Sequence, residues 1–587
     1  MPNLASHVIP STGGYEIGQS LRFNDDDSAY LTRTPASAGN RKTWTWSGWV
    51  KGCELGQRDL FAAGTDSSNW TALYVSGGHN LILLTMTSGS VVGFHRIAPL
   101  YRDTSAWYHF VVVCDTAQAT AADRVKFYVN GEQVTNYTST TLAQNHEGYI
   151  NAANEHRLSA GFTSGAYLDG YLADVHFIDG QALDASYFGE TDADYGHWKP
   201  IKYEGTYGTN GFYLDFSNSS SLGEDQSGNS NDWTSNNLAA TDVVLDSPTN
   251  NFATMNPLYS ISSSSQTNSK TLSEGSMECS WASGTGTNQH CRSTIGILES
   301  GKWYFEGVML STGGGDFGIA FQDHINDSVG YGSDLLGFSY RTDGQKQNST
   351  STSYGDSYTT GDIIGVAYDG DNGNITFYKN GVSQGVAFSG ISKGQAAYFA
   401  CGKASSGSTQ SARFNFGQDS SFAGTKTAQG NTDANGIGDF YYAPPSGYLA
   451  LCTQNLPEPT VAPADHFNTV LYTGNGTGQS ITGVGFQPDW VWIKSRSDVD
   501  NNIVQDAVRG VTRQLFTNLT DAETNYTNGV TSFDSDGFTV ATSNWSNENG
   551  QTRVAWNWKA NGAGVSNTDG SITSTVSANT AAGFSIV

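Results

Sequence analysis

The phrase Lys126-Phe-Tyr-Val-Asn-Gly131 returns far downstream as Thr376-Phe-Tyr-Lys-Asn-Gly381. An Asn-Gly pair between alternating apolar runs specifies a two-residue hairpin, because a type I′ turn needs positive φ at both central positions. Asn tolerates that conformation, and Gly has no Cβ to clash. The surroundings repeat too. An apolar strand ends in Asp (Asp115 in "FVVVCD", Asp369 in "GVAYDG"), a polar loop follows, and the Phe-Tyr strand begins. Two domains built on one antiparallel plan are expected.

Composition agrees with an all-β chain, since 69 Gly and 13 Pro punctuate short apolar runs among Ser, Thr and Asn. Stretches of helical period are nearly absent. Only "DNNIVQDAVRGVTRQLF", residues 500–516, is predicted as a short helix. A length of 587 residues exceeds one sandwich and implies three or four domains. The 14 Trp, 29 Tyr and 28 Phe are enough for several cores, which excludes dominant disorder.

With 29 basic against 55 acidic residues the net charge is −26. Phosphate backbones repel such a chain, so nucleic acid is not an expected partner. The acidity serves solubility. The six cysteines, Cys53, Cys114, Cys279, Cys291, Cys401 and Cys452, form no CxxC pair, which removes zinc ribbons and thioredoxin-like sites. Buried free thiols are expected, with pairing of Cys279 and Cys291 across a loop as the alternative. No apolar run reaches membrane-span length, so no membrane insertion is expected. "MPNLASHVIPSTGG" has no signal-peptide pattern. A virion protein, made in a bacterial host cytoplasm and released by lysis, fits both the missing signal and the surface rich in Gly, Ser, Thr and Asn.

After an N-terminal arm (1–16), residues 17–200 contain "AWYHFVVVCD", "VKFYVNG" and "LDGYLADVHFIDG". This order resembles the laminin-G-like, concanavalin A-type lectin domain. Residues 201–262 read as an extended connector. Residues 263–455 carry "SGKWYFEGVM", "DFGIAFQD" and "GDIIGVAYDGDNGNITFYKNG", which resemble the SPRY domain. That fold shares the concanavalin A-like core, so the twin phrases become equivalent hairpins in two sandwiches. A Pro-rich linker (456–464) leads to residues 465–565. There "FQPDWVWIKSR", "SFDSDGFTV" and "VAWNWKA" resemble a smaller β module repeated in structural proteins of marine bacteriophages. Residues 566–587 end in "AAGFSIV", similar to the opening "HFNTVLYTG", so a further module is expected in a longer chain. The fold class is therefore all-β, with two concanavalin A-like antiparallel sandwiches followed by a β-rich module.

A glycosidase on such a fold needs paired carboxylates. "YLADVHFID" offers Asp174 and Asp179, which are five apart and so point to opposite faces of a strand. Gly381-Val-Ser-Gln-Gly385 fits G-x-S-x-G, but Ser383 follows a hairpin and not a strand-to-helix elbow. No catalytic residue is assigned. Lectin-like sandwiches of the laminin-G and pentraxin kind often hold Ca²⁺ with loop carboxylates. "FNDDDSAY" offers Asp25, Asp26 and Asp27 for this, although Asx turns already account for them. No cofactor is required by any motif. Aromatics set in turn chemistry, Trp70, Trp233, Tyr354 and Trp545, are the candidate ligand-binding residues. Against this stands a role as lids folded over the sandwich ends.

The order lectin-like, SPRY-like, phage-type module resembles bacteriophage appendage proteins. That implies a tail fibre-like adhesin binding host surface glycan or protein, with other virion proteins as partners and a homo-oligomer, a trimer by analogy. A decoration or connector with purely structural contacts is the alternative, and a polysaccharide depolymerase the third.

Overall fold

The computed structural model describes residues 14–163, 167–192, 195–259, 270–282, 290–297, 300–311, 315–322, 337–403, 409–457 and 461–587. The chain divides into two compact units. One holds both large sandwiches and ends at Leu456; the other is Pro457–Val587 with Thr191–His197. The described residues are nearly all β.

In the first sandwich, one sheet runs in the order Glu132–Gln133, Val125–Val129, Tyr108–Asp115, Thr43–Gly52, Gly170–Asp179, Ser20–Phe23, Val243–Val244. The facing sheet runs from Tyr137–Thr140 through Asn69–Val75 and Arg58–Asp66 to Tyr30–Arg33 and Thr234–Asn236. Trp44, Trp46, Phe61, Phe127 and Phe177 fill the space between them, as alternation on each strand requires. Residues 201–262, expected as a connector, supply strands to both sheets: Phe212–Leu214 pairs with Gly170–Asp179, and Thr234–Asn236 with Tyr30–Arg33.

The second sandwich repeats the plan. Val382–Phe388, Asn374–Lys379, Ile363–Asp369 and Lys302–Met309 lie side by side, matching the order of the first sandwich from its hairpin inward. Each Asn-Gly pair is the two-residue turn between a Phe-Tyr strand and the sheet edge, with Val129 opposite Glu132 and Lys379 opposite Val382. The φ values are 47° and 84° at Asn130-Gly131, 49° and 77° at Asn380-Gly381. The asparagines share a second task. Asn130 Oδ1 accepts the His109 amide at 2.8 Å, and Asn380 Oδ1 accepts the Ile363 amide at 2.9 Å. Each therefore caps the start of the neighbouring strand.

The sandwiches are joined by buried charge. The Arg22 guanidinium, in the first, meets Asp242 at 3.0 Å and reaches Asp419 at 3.0 Å and Glu274 at 3.5 Å in the second. Lys51 Nζ donates to Asp246 at 2.7 Å, Asn251 at 2.7 Å and the Phe252 carbonyl.

In the third region Phe467–Thr473, Thr552–Trp558, Trp490–Ser495, Ile503–Asp506 and Arg513–Phe516 form one sheet, packed through Val470, Val491, Ile493 and Ala555. The helix expected over residues 500–516 is instead a strand pair, with Ile503 opposite Phe516. Asp506 Oδ1 accepts the amides of Val508 and Arg509 to make the turn, and Gly510 has φ 98°. β-branched Ile503 and Val504 pair with Trp490–Ser495, so sheet packing overrides a weak helical period. All six cysteines are free and buried.

Candidate functional site

The aromatic candidates turn inward. Trp70 lies in the strand Asn69–Val75, 8% exposed, its indole donating to the Ser67 carbonyl at 3.1 Å. Trp233 is 5% exposed and packs edge-on to Phe212 at 4.9 Å. Tyr354 packs edge-on against Tyr340 at 5.4 Å, and its hydroxyl donates to the Gly385 carbonyl. Trp545 sits in the short helix Asn544–Asn547, capped by Ser543, against Phe516 and Tyr526 at 4.9 and 5.0 Å. Each is a lid or core residue, because an apolar ring beside Asn and Ser gains more by covering a sandwich end than by remaining in water.

The acidic candidates divide. Asn24 Oδ1 accepts the Asp26 amide and its Nδ2 donates to Asp27, so those two belong to an Asx turn. Asp25 instead joins Glu54 and Asp169, with one carboxylate oxygen from each lying within 4.8 Å of the others. Burial, then neighbouring negative charge, raises all three carboxyls above their ordinary range. Glu54 and Asp169 escape a reading of sequence, since they come from a loop and a strand start remote from residue 25. Asp169 in "LDGYL" carried no signal of its own.

A concave site lies on the outer face of the first sandwich. A β-bulge between Ala173 and His176 sets Asp174 at φ 51° and turns its carboxylate outward beside His176. Asp174 Oδ1 accepts the Tyr15 hydroxyl at 2.9 Å and the Tyr213 hydroxyl at 2.8 Å. His176 Nε2 is 3.2 Å from Asp174 Oδ2, and its Nδ1 is 2.9 Å from the Tyr207 hydroxyl. The imidazole stacks on Tyr213 at 4.4 Å, 4° from parallel. Burial would raise Asp174, but His176 and the two phenols hold it below the usual carboxylate range. Burial and then the Asp174 charge push the Tyr213 and Tyr207 phenols up, so both stay protonated donors. Above this floor opens a cavity of about 350 Å³, walled by Tyr15, Gln19, Tyr203, Tyr207, Asp215 and Gln226. Its volume falls within the ~300–1,000 Å³ of small-molecule sites.

Asp179 turns away to Asn40, Asn151 and Asn210 and shares no partner with Asp174 among the described residues. Ser383 is on the exposed hairpin strand Val382–Phe388, its hydroxyl accepting the Gly385 amide at 3.2 Å.

Residues 24–186 match the family model of the concanavalin A-like lectin/glucanases superfamily, and residues 302–419 that of the SPRY domain. The chain thus carries a laminin-G/concanavalin A-like domain and a SPRY domain. Residues 462–587 match a domain of unknown function, DUF7483. Among curated proteins, the chain is 34% identical over 99 residues to the ATP-dependent RNA helicase Ddx1 of Drosophila melanogaster. It is 37% identical over 100 residues to the E3 ubiquitin-protein ligase RKP of Arabidopsis thaliana. These alignments cover 17% and 16% of this chain but only 13% and 8% of the relatives. Among solved structures, the SPRY domain of human HERC1 is 19% identical, covering 24% of this chain and 87% of that one, with a TM-score of 0.21. The SAP-like pentraxin of Limulus polyphemus is 17% identical, covering 29% and 80%, with a TM-score of 0.22.

Proposed function

We propose that the protein is a glycan-binding adhesin of a bacteriophage particle, a tail fibre or other appendage, and that the cavity over Asp174 is its saccharide site. The observation that carries this reading is the composition of that cavity. Tyrosine rings offer faces for the C–H side of a sugar, while Asp174, Gln19, Asp215 and Gln226 supply the few convergent polar groups that orient hydroxyls. The phage setting rests on the likeness of residues 465–565 and on the order of the three regions. We expect binding without turnover, because Asp174 is already engaged by the Tyr15 and Tyr213 hydroxyls and by His176. Screening the full chain against host envelope polysaccharides tests this. Tyr207→Ala and Gln226→Ala should each weaken binding, the former by about 2- to 13-fold, equivalent to ~0.5–1.5 kcal/mol for one ring contact. Normal binding by both variants, or release of reducing ends by the native chain, would count against the reading.

A decoration or connector role is favoured by one face of the third region. Trp490, Trp492, Trp556 and Trp558 lie half-buried on one sheet surface beside Phe467 and Leu471, which are 39% and 61% exposed. Covering that face between copies would give the homo-oligomer, a trimer by analogy. A monomeric mass at micromolar concentration would remove this second reading.

A further inference from the structure

We propose that Lys51 and Asn251 form an intramolecular isopeptide bond, with Asp246 carrying the proton, and that this bond staples the first sandwich to the second. Lys51 lies in the central strand Thr43–Gly52, while Asp246 and Asn251 follow the edge strand Val243–Val244. Folding of that sheet brings the carboxylate and the carboxamide to the amine across 195 and 200 residues of chain.

Lys51 Nζ is 2.7 Å from Asp246 Oδ2 and 2.7 Å from Asn251 Oδ1. The side chains of Lys51 and Asp246 are wholly buried, and Asn251 is 6% exposed. A buried lysine needs a carboxylate partner. A carboxamide held equally close adds something else, an electrophilic carbon one bond beyond the contact atom. The surroundings fix both partners. Asn251 Nδ2 donates to the Ser105 carbonyl at 2.9 Å, which holds the plane of the carboxamide. Asp246 Oδ1 accepts the Trp107 indole and the Phe252 amide, each at 3.2 Å, leaving Oδ2 to face the amine. The buried ring of Tyr171 lies beside Lys51 Nζ, 5.8 Å away at its centre.

Burial raises the Asp246 carboxyl above its ordinary range, against the opposing pull of the Lys51 charge. A carboxylate in that setting is suited to take a proton from the Lys51 ammonium. The freed lone pair adds to Asn251 Cγ and forms the C–N bond. The bond from Cγ to Nδ2 then breaks, and that nitrogen leaves as ammonia. Of the three ammonium protons, one stays on the new amide, one departs with the ammonia and one remains on Asp246. The balance needs no oxidant or other co-reactant. Contact between amine and amide supplies the rate, since well-oriented intramolecular reactions reach effective concentrations of about 10⁵–10⁸ M.

The bond crosses the seam. The Asn251 carbonyl accepts the Thr453 amide at 3.0 Å, and its amide donates to the Thr453 hydroxyl at 2.9 Å. Phe252 forms a bridge with Cys452. Lys51 would thus be tied covalently to the segment on which the second sandwich closes.

The test uses the full chain, denatured for intact-mass measurement and then digested. The native chain should be lighter than its sequence by one ammonia, and one branched peptide should join Lys51 to Asn251. Lys51→Arg, which keeps the charge beside Asp246, and Asn251→Ala should each have the mass of their sequence. Asp246→Asn should leave Lys51 and Asn251 unlinked. A native chain at full sequence mass would overturn the bond, whether or not any variant folds. So would ammonia lost without the branched peptide, as closure of an asparagine to a succinimide gives. Loss of water with Lys51 joined to Asp246 would overturn the choice of Asn251. Full linkage in Asp246→Asn would overturn the part given to Asp246.

Discussion

Asp59 shows how burial sets the cost of a single side chain. It is 2% exposed beside Gly161, and among the described residues its one side-chain hydrogen bond is from Gln57 at 3.0 Å. Burial pushes its carboxyl up to about 7, far above an ordinary Asp. A carboxyl raised in the fold stabilises it fully at pH values below the unfolded range near 4, and that contribution is lost as pH rises to about 7. Asp59→Asn keeps the shape without the charge. Its advantage in thermal midpoint over the native chain should grow between pH 4 and 7 and level off above. An advantage that does not change with pH would show that Asp59 is not protonated in the fold. Nothing in the sequence marks this residue, because "RDLFAAG" reads as an ordinary strand with a polar end. Trp70 and Trp233 misled in the opposite direction. Neighbouring Ser and Asn mark a turn, but they do not tell whether the ring beside them faces water or folds back over the core.

Strands and turns were far more legible than single sites. The twin hairpins follow from local chemistry alone, since a type I′ turn leaves little choice of residues. Sheet order could then be carried from one sandwich to the other. What local chemistry hid was the second bond made by each Asn. Gly fits the backbone of either turn, so conformational preference alone makes Asn380→Gly nearly neutral. Loss of the bond to the Ile363 amide leaves a strand-start donor unsatisfied, which costs about 1–3 kcal/mol. Urea unfolding of Asn380→Gly and Asn130→Gly should show a loss in that range in both. Neutral variants would reduce the asparagines to turn-formers. The segment 500–516 failed at this same level. Its apolar spacing suits a helix, but Gly510 at positive φ and pairing with Trp490–Ser495 make it a hairpin.

At the scale of the molecule, the sequence suggests beads on a connector, and the structure gives two sandwiches with a shared buried seam. The sign of this was invisible in composition, because Arg22 finds Glu274 and Asp419 only after both sandwiches have folded. Burial alone would weaken the Arg22 charge, but Asp419, Asp242 and Glu274 more than offset it and raise its proton affinity. The energetic meaning of such a cluster lies in its removal. Replacing Arg22 by Met would leave the buried Asp419 and the half-buried Asp242 against an apolar chain, and breaking a buried ion pair from one side costs about 3–5 kcal/mol. Arg413 still meets Glu274 at 3.0 Å, so that carboxylate keeps one partner. Both sandwiches should therefore unfold in one calorimetric transition, with the third region melting separately. Arg22→Met should lower the shared transition as a whole, although the residue belongs to the first sandwich only. Two separate sandwich transitions in the native chain, with Arg22→Met shifting just the first, would make the seam a contact between independent domains.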